Sequence, residues 1–290
     1  MNAVLDRKAR ALLGECARAG ADCVVVAMDR VAGSVPRERG AAMLVSAGAC
    51  AGTIGGGHLE LKSVAIAREL LSQAVDAAVN PTIRRFPLGP ALGQCCGGVA
   101  HVAFHMCRAG VAPPGLALAA PGALFDLRLF GAGHVGQALV DVLAGVDCDI
   151  TWVDSREQQF PQRVPANARV EFSEAPQEEV ACAPAGAFYL VMTHSHALDF
   201  AIVERILRRD DARFIGLIGS QTKRVTFERR LSERGVGQAA LERMACPIGL
   251  PGITGKAPGV VAIAVAAQLL AVATAQPAER SGLTGYSTSP

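Results

Sequence analysis

Residues 126–137 read DLRLFGAGHVGQ, and this stretch decides the fold of the second half of the chain. Strand-forming residues lead directly into GAGHVG (131–136), which has the spacing G-x-G-x-x-G. That spacing is informative only where it joins a strand to a helix. Here a helix is predicted from about 134 to 144, and the next strand, CDITWVD, ends at Asp154. The stretch therefore predicts the first strand, turn and helix of a Rossmann-like sheet.

Each glycine of this motif has a predicted task. Gly131 permits the tight turn, Gly133 lets a phosphate approach the backbone, and Gly136 allows the helix to pack closely on the strand. The helix N-terminus, where His134 lies, offers backbone N–H groups to an anion. Asp154, 23 residues after Gly131, is placed to accept a hydrogen bond from a ribose hydroxyl. The prediction is a nucleotide or phosphate site, and the alternative is a Rossmann fold whose site is vestigial.

The remainder of this half alternates strands with helices. Such an order predicts βαβ units and a parallel sheet, covered on both faces because its strands are almost wholly apolar. Strands are predicted near 168–172, 187–193 and 213–219, and helices over 198–209 and 221–234.

Polar residues follow two of these strands, at the edge where open α/β sheets bind ligands. After the first strand come His194, His196 and Asp199. Two imidazoles and a carboxylate could hold a metal ion, and the alternative is a helix cap beside polar loop residues.

The second polar group comprises Ser220, Lys223 and Arg224. Ser220 suits a helix N-cap, and the two cations near free backbone donors favour an anion. A solvated first helical turn explains these residues equally well.

The first half of the chain mixes short strands with two helices, which predicts a small α+β domain. Helices are predicted over about 3–20 and 58–78, and strands over 23–29, 41–46, 50–54, 82–87 and 98–107.

Two glycine-rich turns in this half are candidate ligand sites. In GSVPR, Pro36 stiffens the turn after Ser34, and Arg37 could form a fork on a phosphate or carboxylate. In GGGHLE, residues 55–60, three glycines precede a helix, and Glu60 follows them. Ordering three glycines costs conformational entropy, and a ligand that approaches the backbone is one reason for such a turn.

Two adjacent cysteines, Cys95 and Cys96, lie in the segment GQCCGG, which ends at Gly98. Zinc sites prefer cysteines that are spaced apart, and no C-x-x-C redox motif is present. Thiolates flanked by glycine suit a soft metal or a sulfur donor. The alternatives are a zinc site completed by His101 and His105, or a buried pair of small apolar side chains.

The composition is that of a globular protein. Of 290 residues, 51% are hydrophobic and 19% are charged, and the formal net charge is +2. This balance argues against a nucleic-acid or membrane-surface partner. The longest apolar run, over 259–275, is short for a membrane span. Nine irregularly spaced cysteines and no secretory start favour a cytoplasmic location.

Composition also marks the expected domain boundaries. The segment AGVAPPGLALAAPGAL, residues 109–124, has no charge and is rich in alanine, proline and glycine, as linkers are. We therefore expect an N-terminal domain over 1–108, a Rossmann-like domain over 125–276 and a flexible tail over 277–290.

Taken together, seven motifs resemble those of the XdhC (XdhC/CoxI-type) family, the xanthine dehydrogenase accessory proteins of bacteria. In chain order they are GSVPRERGAAMLV, GTIGGGHLE, LGPALGQCCGG, RLFGAGHVGQALV, VMTHSHALD, FIGLIGSQTKR and PIGLPGITGKAPGVVAIAVAAQLL. Each motif is modest alone, but seven in order between about residues 22 and 271 are specific.

The resemblance implies a maturation factor rather than an enzyme. Such a protein binds molybdenum cofactor (molybdopterin), supports its sulfuration by a cysteine desulfurase and delivers it to apo-xanthine dehydrogenase. We also expect a homodimer. The cysteine loop, with emphasis on Cys96, would face the sulfur-rich end of the cofactor. The residues implied in binding are Ser34, Arg37, Gly56, Gly57, Glu60, Cys95, Cys96, Gly97, Gly98, Gly131, Gly133, His134, Gly136, Asp154, Ser220, Lys223 and Arg224.

Other functions remain open on the residues alone. An NAD(P)-dependent oxidoreductase would use the same glycine motif and Asp154, with His194, His196 and Lys223 as candidate proton donors. A metal-storage or metal-sensing protein is a third possibility.

Overall fold

The structure is a computed structural model, and it describes residues 1–73, 81–88, 97–119 and 122–275. The chain divides into two compact units, Met1–Gly122 and Ala123–Pro290. We call them unit 1 and unit 2 and describe each by itself.

Unit 1 is built on a five-stranded antiparallel sheet with the order β4-β3-β2-β6-β5. Helices α1 (Arg7–Ala19) and α2 (Gly57–Ser72) each contribute to one of two apolar cores, which share the strands of this sheet. The strands are β1 (Asn2–Val4), β2 (Cys23–Ala32), β3 (Ala42–Ser46), β4 (Cys50–Gly52), β5 (Thr82–Pro87), β6 (Val99–Cys107) and β7 (Ala117–Ala119).

The start of unit 1 differs from the sequence-based expectation. Residues 2–4 form β1, which pairs in parallel with β7, so the first helix begins only at Arg7. Asp6 ends the extended segment and caps α1, because its carboxylate accepts a hydrogen bond from the N–H of Ala9 at 2.8 Å. Strand β7 lies inside the segment 109–124 whose composition is typical of a linker. Backbone pairing, which composition does not reveal, orders this part of it.

Unit 2 contains a six-stranded parallel sheet with the order β10-β9-β8-β11-β12-β13. This is the order 3-2-1-4-5-6 of the doubly wound dinucleotide-binding fold, so the predicted Rossmann-like sheet is confirmed. Its strands are β8 (Asp126–Phe130), β9 (Asp149–Asp154), β10 (Ala168–Phe172), β11 (Phe188–Val191), β12 (Phe214–Leu217) and β13 (Met244–Ala245). Its helices are α3 (His134–Leu143), α4 (His196–Arg209), α5 (Gln221–Glu233), α6 (Gln238–Glu242) and α7 (Pro258–Thr274).

Two apolar cores cover the two faces of this sheet. Helices α3 and α7 pack over Leu129 and Trp152 on one face. Helices α4, α5 and α6 pack over Val153 and Tyr189 on the other face. The long apolar run of the sequence therefore forms α7, where Val265 and Leu269 are fully buried in the first core. Among the described residues, no helix is both long and apolar enough to cross a membrane.

Two glycines of unit 1 offer a matched test of how closely the chain packs on α1. Gly110 and Gly115 both have a positive φ, 71° and 82°, so alanine strains both backbones similarly. A Cβ at Gly110 would lie 2.5 Å from the backbone nitrogen of Ala17, whereas a Cβ at Gly115 would meet nothing within 4 Å. We expect Gly110→Ala to lower the free energy of unfolding by about 2 kcal/mol more than Gly115→Ala, measured by urea denaturation. Equal losses would show that the contact with Ala17 is not tight.

Candidate functional site

The candidate site of unit 2 lies where the strand order reverses, between β8 and β11. From these neighbours the chain continues toward β9 on one side and β12 on the other, and in doubly wound sheets this is the point at which a ligand crevice opens at the carboxyl ends. Gly131 follows β8 and lies against the end of β11. Its φ is +120°, and a Cβ there would lie 2.3 Å from the carbonyl oxygen of Met192. Glycine is therefore required at this position by both backbone conformation and contact.

The other two glycines of the motif differ from each other in the space around them. A Cβ at Gly136 would lie 2.2 Å from the carbonyl oxygen of Gly131, so the first turn of α3 can pack on the strand only without a side chain. A Cβ at Gly133 would meet no atom within 4 Å. Gly133 is the N-cap of α3 and offers no side chain to the free N–H groups, which leaves room for a ligand there.

Two side chains that the sequence analysis did not single out hold this turn in place. The indole Nε1–H of Trp152 donates to the carbonyl of Gly131 at 3.0 Å. The amide Nε2 of Gln137 donates to the carbonyls of Ala132 and Gln159, at 3.0 and 2.8 Å. These bonds satisfy carbonyls of the turn and keep its shape fixed without a ligand.

Asp154 lies at the end of β9, as predicted, but its carboxylate is already fully bonded. Oδ2 accepts from the N–H of Ala132 at 2.6 Å and from Nη2 of Arg156 at 2.9 Å. Oδ1 accepts from the backbone N–H and from Nε of Arg156, at 2.9 and 3.0 Å. Only 2% of the Asp154 side chain is exposed. In this structure the carboxylate holds the turn, and no ribose hydroxyl can reach it without displacing Arg156.

Burial of Asp154 by itself would raise the pKa of its carboxyl. The hydrogen bonds from Arg156 and Ala132, with the charge of Arg156, outweigh burial, and the net pKa lies below the usual value for aspartate.

Asp199 and Lys223 form a buried ion pair at the same edge of the sheet. Lys223 Nζ donates to Oδ2 of Asp199 at 2.7 Å and to the carbonyl of Ile218 at 2.8 Å. Oδ1 of Asp199 accepts from the N–H and the hydroxyl of Thr193, at 2.9 and 2.7 Å. The pair therefore ties the turn after β11 to the turn after β12. Such pairs fix geometry because breaking one partner leaves a buried charge.

The metal site predicted at His194, His196 and Asp199 stays a prediction, and this ion pair already engages one of its three residues. Asp199 is wholly buried and both its oxygens are used, while the two histidines are exposed. Within the described ranges, no three histidine, cysteine, aspartate or glutamate side chains are grouped as metal ligands.

The other predicted residues of unit 2 differ in what they contact. Ser220 caps α5 by accepting from the N–H of Lys223 at 3.3 Å, as expected for an N-cap. Arg224 donates to Glu228 at 2.7 Å and to the carbonyl of Cys246 at 3.4 Å. His134 is exposed in the first turn of α3. Lys223 and Arg224 are thus held by protein groups.

Unit 1 brings three glycine-rich segments of the sequence together. A Cβ at Gly98 would lie 2.3 Å from the carbonyl oxygen of Ser34, and one at Gly33 would lie 3.1 Å from the Cα of Gly98. A Cβ at Gly55 would lie 2.4 Å from the Cγ of Pro36. The turn 33–37 therefore contacts both of the other segments, and we call residues 33–37, 55–60 and 97–98 together the glycine cluster.

Glu60 stabilises one part of the glycine cluster from within. Its Oε1 accepts from the N–H groups of Ile54 and Gly56, at 2.9 and 2.8 Å, and from the hydroxyl of Thr53. Burial raises the pKa of this carboxyl, but these hydrogen bonds, together with one from Gly55, outweigh burial and lower it. Glu60 was predicted as a ligand-binding residue, whereas the structure shows it bonded to its own turn.

The remaining predicted residues of unit 1 have fewer contacts. Arg37 is partly exposed and lies 3.3 Å from Glu38. Gly97, next to Gly98, has open space where a Cβ would be. Cys95 and Cys96 lie outside the described residues. The N–H of Leu88 donates to the carbonyl of Gly98 at 2.8 Å, which pairs the chain on either side of the cysteine segment.

Two models of known protein families match this chain, one in each unit. The model of the XdhC Rossmann domain matches residues 127–269, and that of the XdhC and CoxI family matches residues 16–80. The chain belongs to the XdhC and CoxI family. The first match covers the sheet with its glycine turn, and the second covers two segments of the glycine cluster.

Two known proteins are similar to this chain. The chain is 28% identical over 244 residues to YqeB of Escherichia coli (strain K12), which is described as uncharacterized. That match covers 83% of this chain but 41% of YqeB, so the chain spans about two fifths of that relative. A Bacillus halodurans crystal structure that carries the name xanthine dehydrogenase matches with a TM-score of 0.70 and 20% identity. It covers 96% of this chain and 99% of the other, which shows a shared fold.

The glycine turn of unit 2 allows a matched test of its two kinds of glycine. Gly136→Ala should lower the free energy of unfolding by about 3 kcal/mol, because the new methyl group overlaps a backbone carbonyl that cannot move away. Gly133→Ala should cost about 1 kcal/mol or less, the effect of alanine at an N-cap. Thermal and urea denaturation measure both. Similar losses in the two variants would contradict the assignment.

The stability contributed by Asp154 should depend on pH. Its pKa is lowered by folding, so its contribution is complete above the unfolded value of about 3.9 and is lost as the pH falls through the folded pKa. At pH 7, Asp154→Asn should lower the free energy of unfolding by about 2 kcal/mol, since it removes charged hydrogen bonds. This difference between wild type and variant should shrink below about pH 4. A difference that grows on acidification would contradict the lowered pKa.

Proposed function

We propose that this protein is a maturation factor for a xanthine dehydrogenase, and that it carries molybdenum cofactor to the apo-enzyme. Membership of the XdhC and CoxI family supports the dehydrogenase as partner. The proposal includes sulfuration of the bound cofactor by a cysteine desulfurase, and a homodimer as the carrier. It assigns binding and positioning to this chain, and oxidation of substrate to its partner.

The observation that carries the proposal is the glycine cluster of unit 1. Ser34 and Gly98 meet through their backbones, with no side chain between them. Cys95 and Cys96 precede Gly97 directly in the chain. A thiol pair followed in the sequence by two glycines, of which Gly98 packs on Ser34, suits a carrier that offers soft ligands to a metal or receives sulfur. A structural cysteine pair would need neither the glycines nor their close contact.

Each unit, taken by itself, has a helix N-terminus that can be tested as a place for the phosphate of a ligand. Positions 56 and 133 both have open space where a Cβ would be, and both are N-caps without a capping side chain. At α2, however, the carboxylate of Glu60 already accepts from the N–H of Gly56. An added anion there would meet a like charge. The carboxylate at the turn before α3, that of Asp154, is instead paired with Arg156, so the N-terminus of α3 fits a phosphate better than that of α2.

Each part of the chain then has a defined task. When bound, the cofactor supplies the molybdenum and the terminal sulfur position that the target hydroxylase uses. The first turn of α3 binds a phosphate through backbone N–H groups, and Trp152 and Gln137 keep that turn in shape. The glycine cluster positions the segment that carries Cys95 and Cys96. None of these tasks transfers electrons.

The competing oxidoreductase function has weaker support from the crevice of unit 2. A hydride-transfer enzyme needs a proton donor that faces its substrate. Lys223 is held by Asp199 and by the carbonyl of Ile218, and its side chain is 12% exposed. Asp154, which would bind the adenosine ribose diol of NAD, is bonded to Arg156. Both side chains are therefore bonded to protein groups and are not free to bind a coenzyme or to donate a proton.

Co-expression tests the proposal directly. Xanthine dehydrogenase should be produced with and without this protein, and its sulfurated cofactor and specific activity measured. We expect both to rise when the protein is present, while the purified protein alone oxidises no xanthine. A dehydrogenase that is fully sulfurated and active without this protein would exclude the maturation role. Xanthine oxidation by the protein alone would support the enzyme instead.

The thiols are tested by Cys95→Ser combined with Cys96→Ser. Serine hydroxyls are harder ligands and weaker nucleophiles, so molybdenum cofactor that co-purifies with the protein should fall by about five-fold or more. Cys50→Ser combined with Cys182→Ser is the matched control, because both of these thiols are free and exposed. Unchanged cofactor content in the first double variant, or an equal loss in the control, would remove Cys95 and Cys96 from the mechanism.

A further inference from the structure

The ligand class of the Rossmann turn can be inferred from Arg156. In dinucleotide-binding folds, the acidic residue after the second strand accepts hydrogen bonds from a ribose diol, and it must be open to the ligand to do so. Asp154 occupies that position, but it is 2% exposed and accepts four hydrogen bonds from protein groups. The usual acceptor for a ribose diol is therefore closed.

Arg156, which is bonded to Asp154, offers hydrogen-bond donors where Asp154 would have offered an acceptor. A guanidinium has five N–H groups. Arg156 uses Nε–H and one N–H of Nη2 on Asp154, which leaves three for a ligand. Within the described part of the chain, no protein group accepts from those three. The Arg156 side chain is 28% exposed, so it covers Asp154 while remaining accessible to solvent.

We propose that the turn of unit 2 selects a ligand that places a phosphomonoester at Arg156, and rejects a ligand that places a free ribose diol there. Asp154 acts as a positioning residue, because it holds the guanidinium side-on and leaves one edge of it directed outward. Anions are the natural partners of that edge, since an arginine fork matches phosphate oxygens. The N–H groups of α3 beside Gly133 add to the same preference.

This inference rests on the proposed function and makes it more specific. The phosphate of a pterin and the 2′-phosphate of NADP are both phosphomonoesters, so they share the chemistry that Arg156 recognises. NAD⁺ and NADP⁺ differ only in that phosphate, which makes them a matched pair of probes. The two possible sources are separated by a second measurement, the pterin that co-purifies with the protein.

The first experiment compares NAD⁺ and NADP⁺ by isothermal titration calorimetry with the purified full-length chain. We expect NADP⁺ to bind at least about ten-fold more tightly than NAD⁺, as charge-assisted hydrogen bonds to a phosphate predict. In Arg156→Gln the preference for NADP⁺ over NAD⁺ should disappear, because the guanidinium group is lost and the carboxylate of Asp154 becomes accessible to the ribose diol. Arg229→Gln, at an exposed arginine of α5, should keep the wild-type preference. Binding of NAD⁺ as tight as that of NADP⁺ would overturn the proposal, and so would binding of neither coenzyme together with a pterin content that the Arg156 variants leave unchanged.

Because Arg156→Gln leaves a buried carboxylate without its cation, its folding must be checked by thermal denaturation. Arg156→Lys keeps the charge but not the fork, and it should reduce the NADP⁺ preference by about three-fold or more. An unchanged preference in a folded Arg156→Lys protein would also overturn the proposal.

The co-purifying pterin identifies the source of the phosphate. A loss of pterin in the Arg156 variants would assign the site to the pterin phosphate, and retained pterin with lost NADP⁺ binding would assign it to a nucleoside phosphate. Both results support a phosphomonoester site. Failure of the maturation role would appear instead in the activity of the co-expressed dehydrogenase, whatever the ratio of the two coenzymes.

Discussion

The contact between Gly131 and the carbonyl of Met192 is the constraint on which the rest of unit 2 depends. Strands β8 and β11 lie side by side, and the chain leaves them toward opposite edges of the sheet. The chain segments that follow β8 and β11 must therefore diverge within a few residues. This divergence requires a positive φ at Gly131 and leaves no space there for a side chain. Once this turn is formed, Gly136 packs against it, Trp152 and Gln137 bond to it, and Asp154 closes it from the neighbouring strand. The crevice that could take a ligand is a result of that strand separation.

Much of unit 2 could be predicted from sequence because its signals are local. Each apolar strand, each helix start and each glycine of the turn is visible within a few residues. The partners of Asp154 were not predictable in this way. The residue was placed correctly, but its pairing with Arg156 depends on side-chain directions that the G-x-G-x-x-G spacing does not contain. The same holds for Lys223 and Asp199, which are 24 residues apart and meet only because β11 and β12 are neighbours.

In unit 1, less could be predicted from local sequence signals than in unit 2. Its glycine turns were recognised as unusual, but their convergence depends on the antiparallel order of the sheet, which no local pattern specifies. Strands β1 and β7 were missed because their pairing joins residues about 115 positions apart, from Asn2 to Ala117. Glu60 was assigned to a ligand because a carboxylate after three glycines looks available. In the structure its own turn supplies enough N–H donors to bind it, so the charge is satisfied locally.

The hydrogen bond from Leu88 to Gly98 has a consequence for how this family can change over time. It closes the base of the connection between β5 and β6, so the register of the two strands is set before the connection begins. Insertions, deletions or exchanges between these two residues would leave the sheet as it is. The segment between Leu88 and Gly98 can therefore change in length or sequence while the paired strands stay constant. A segment transplanted from a relative at these two points should be accepted by the same fold.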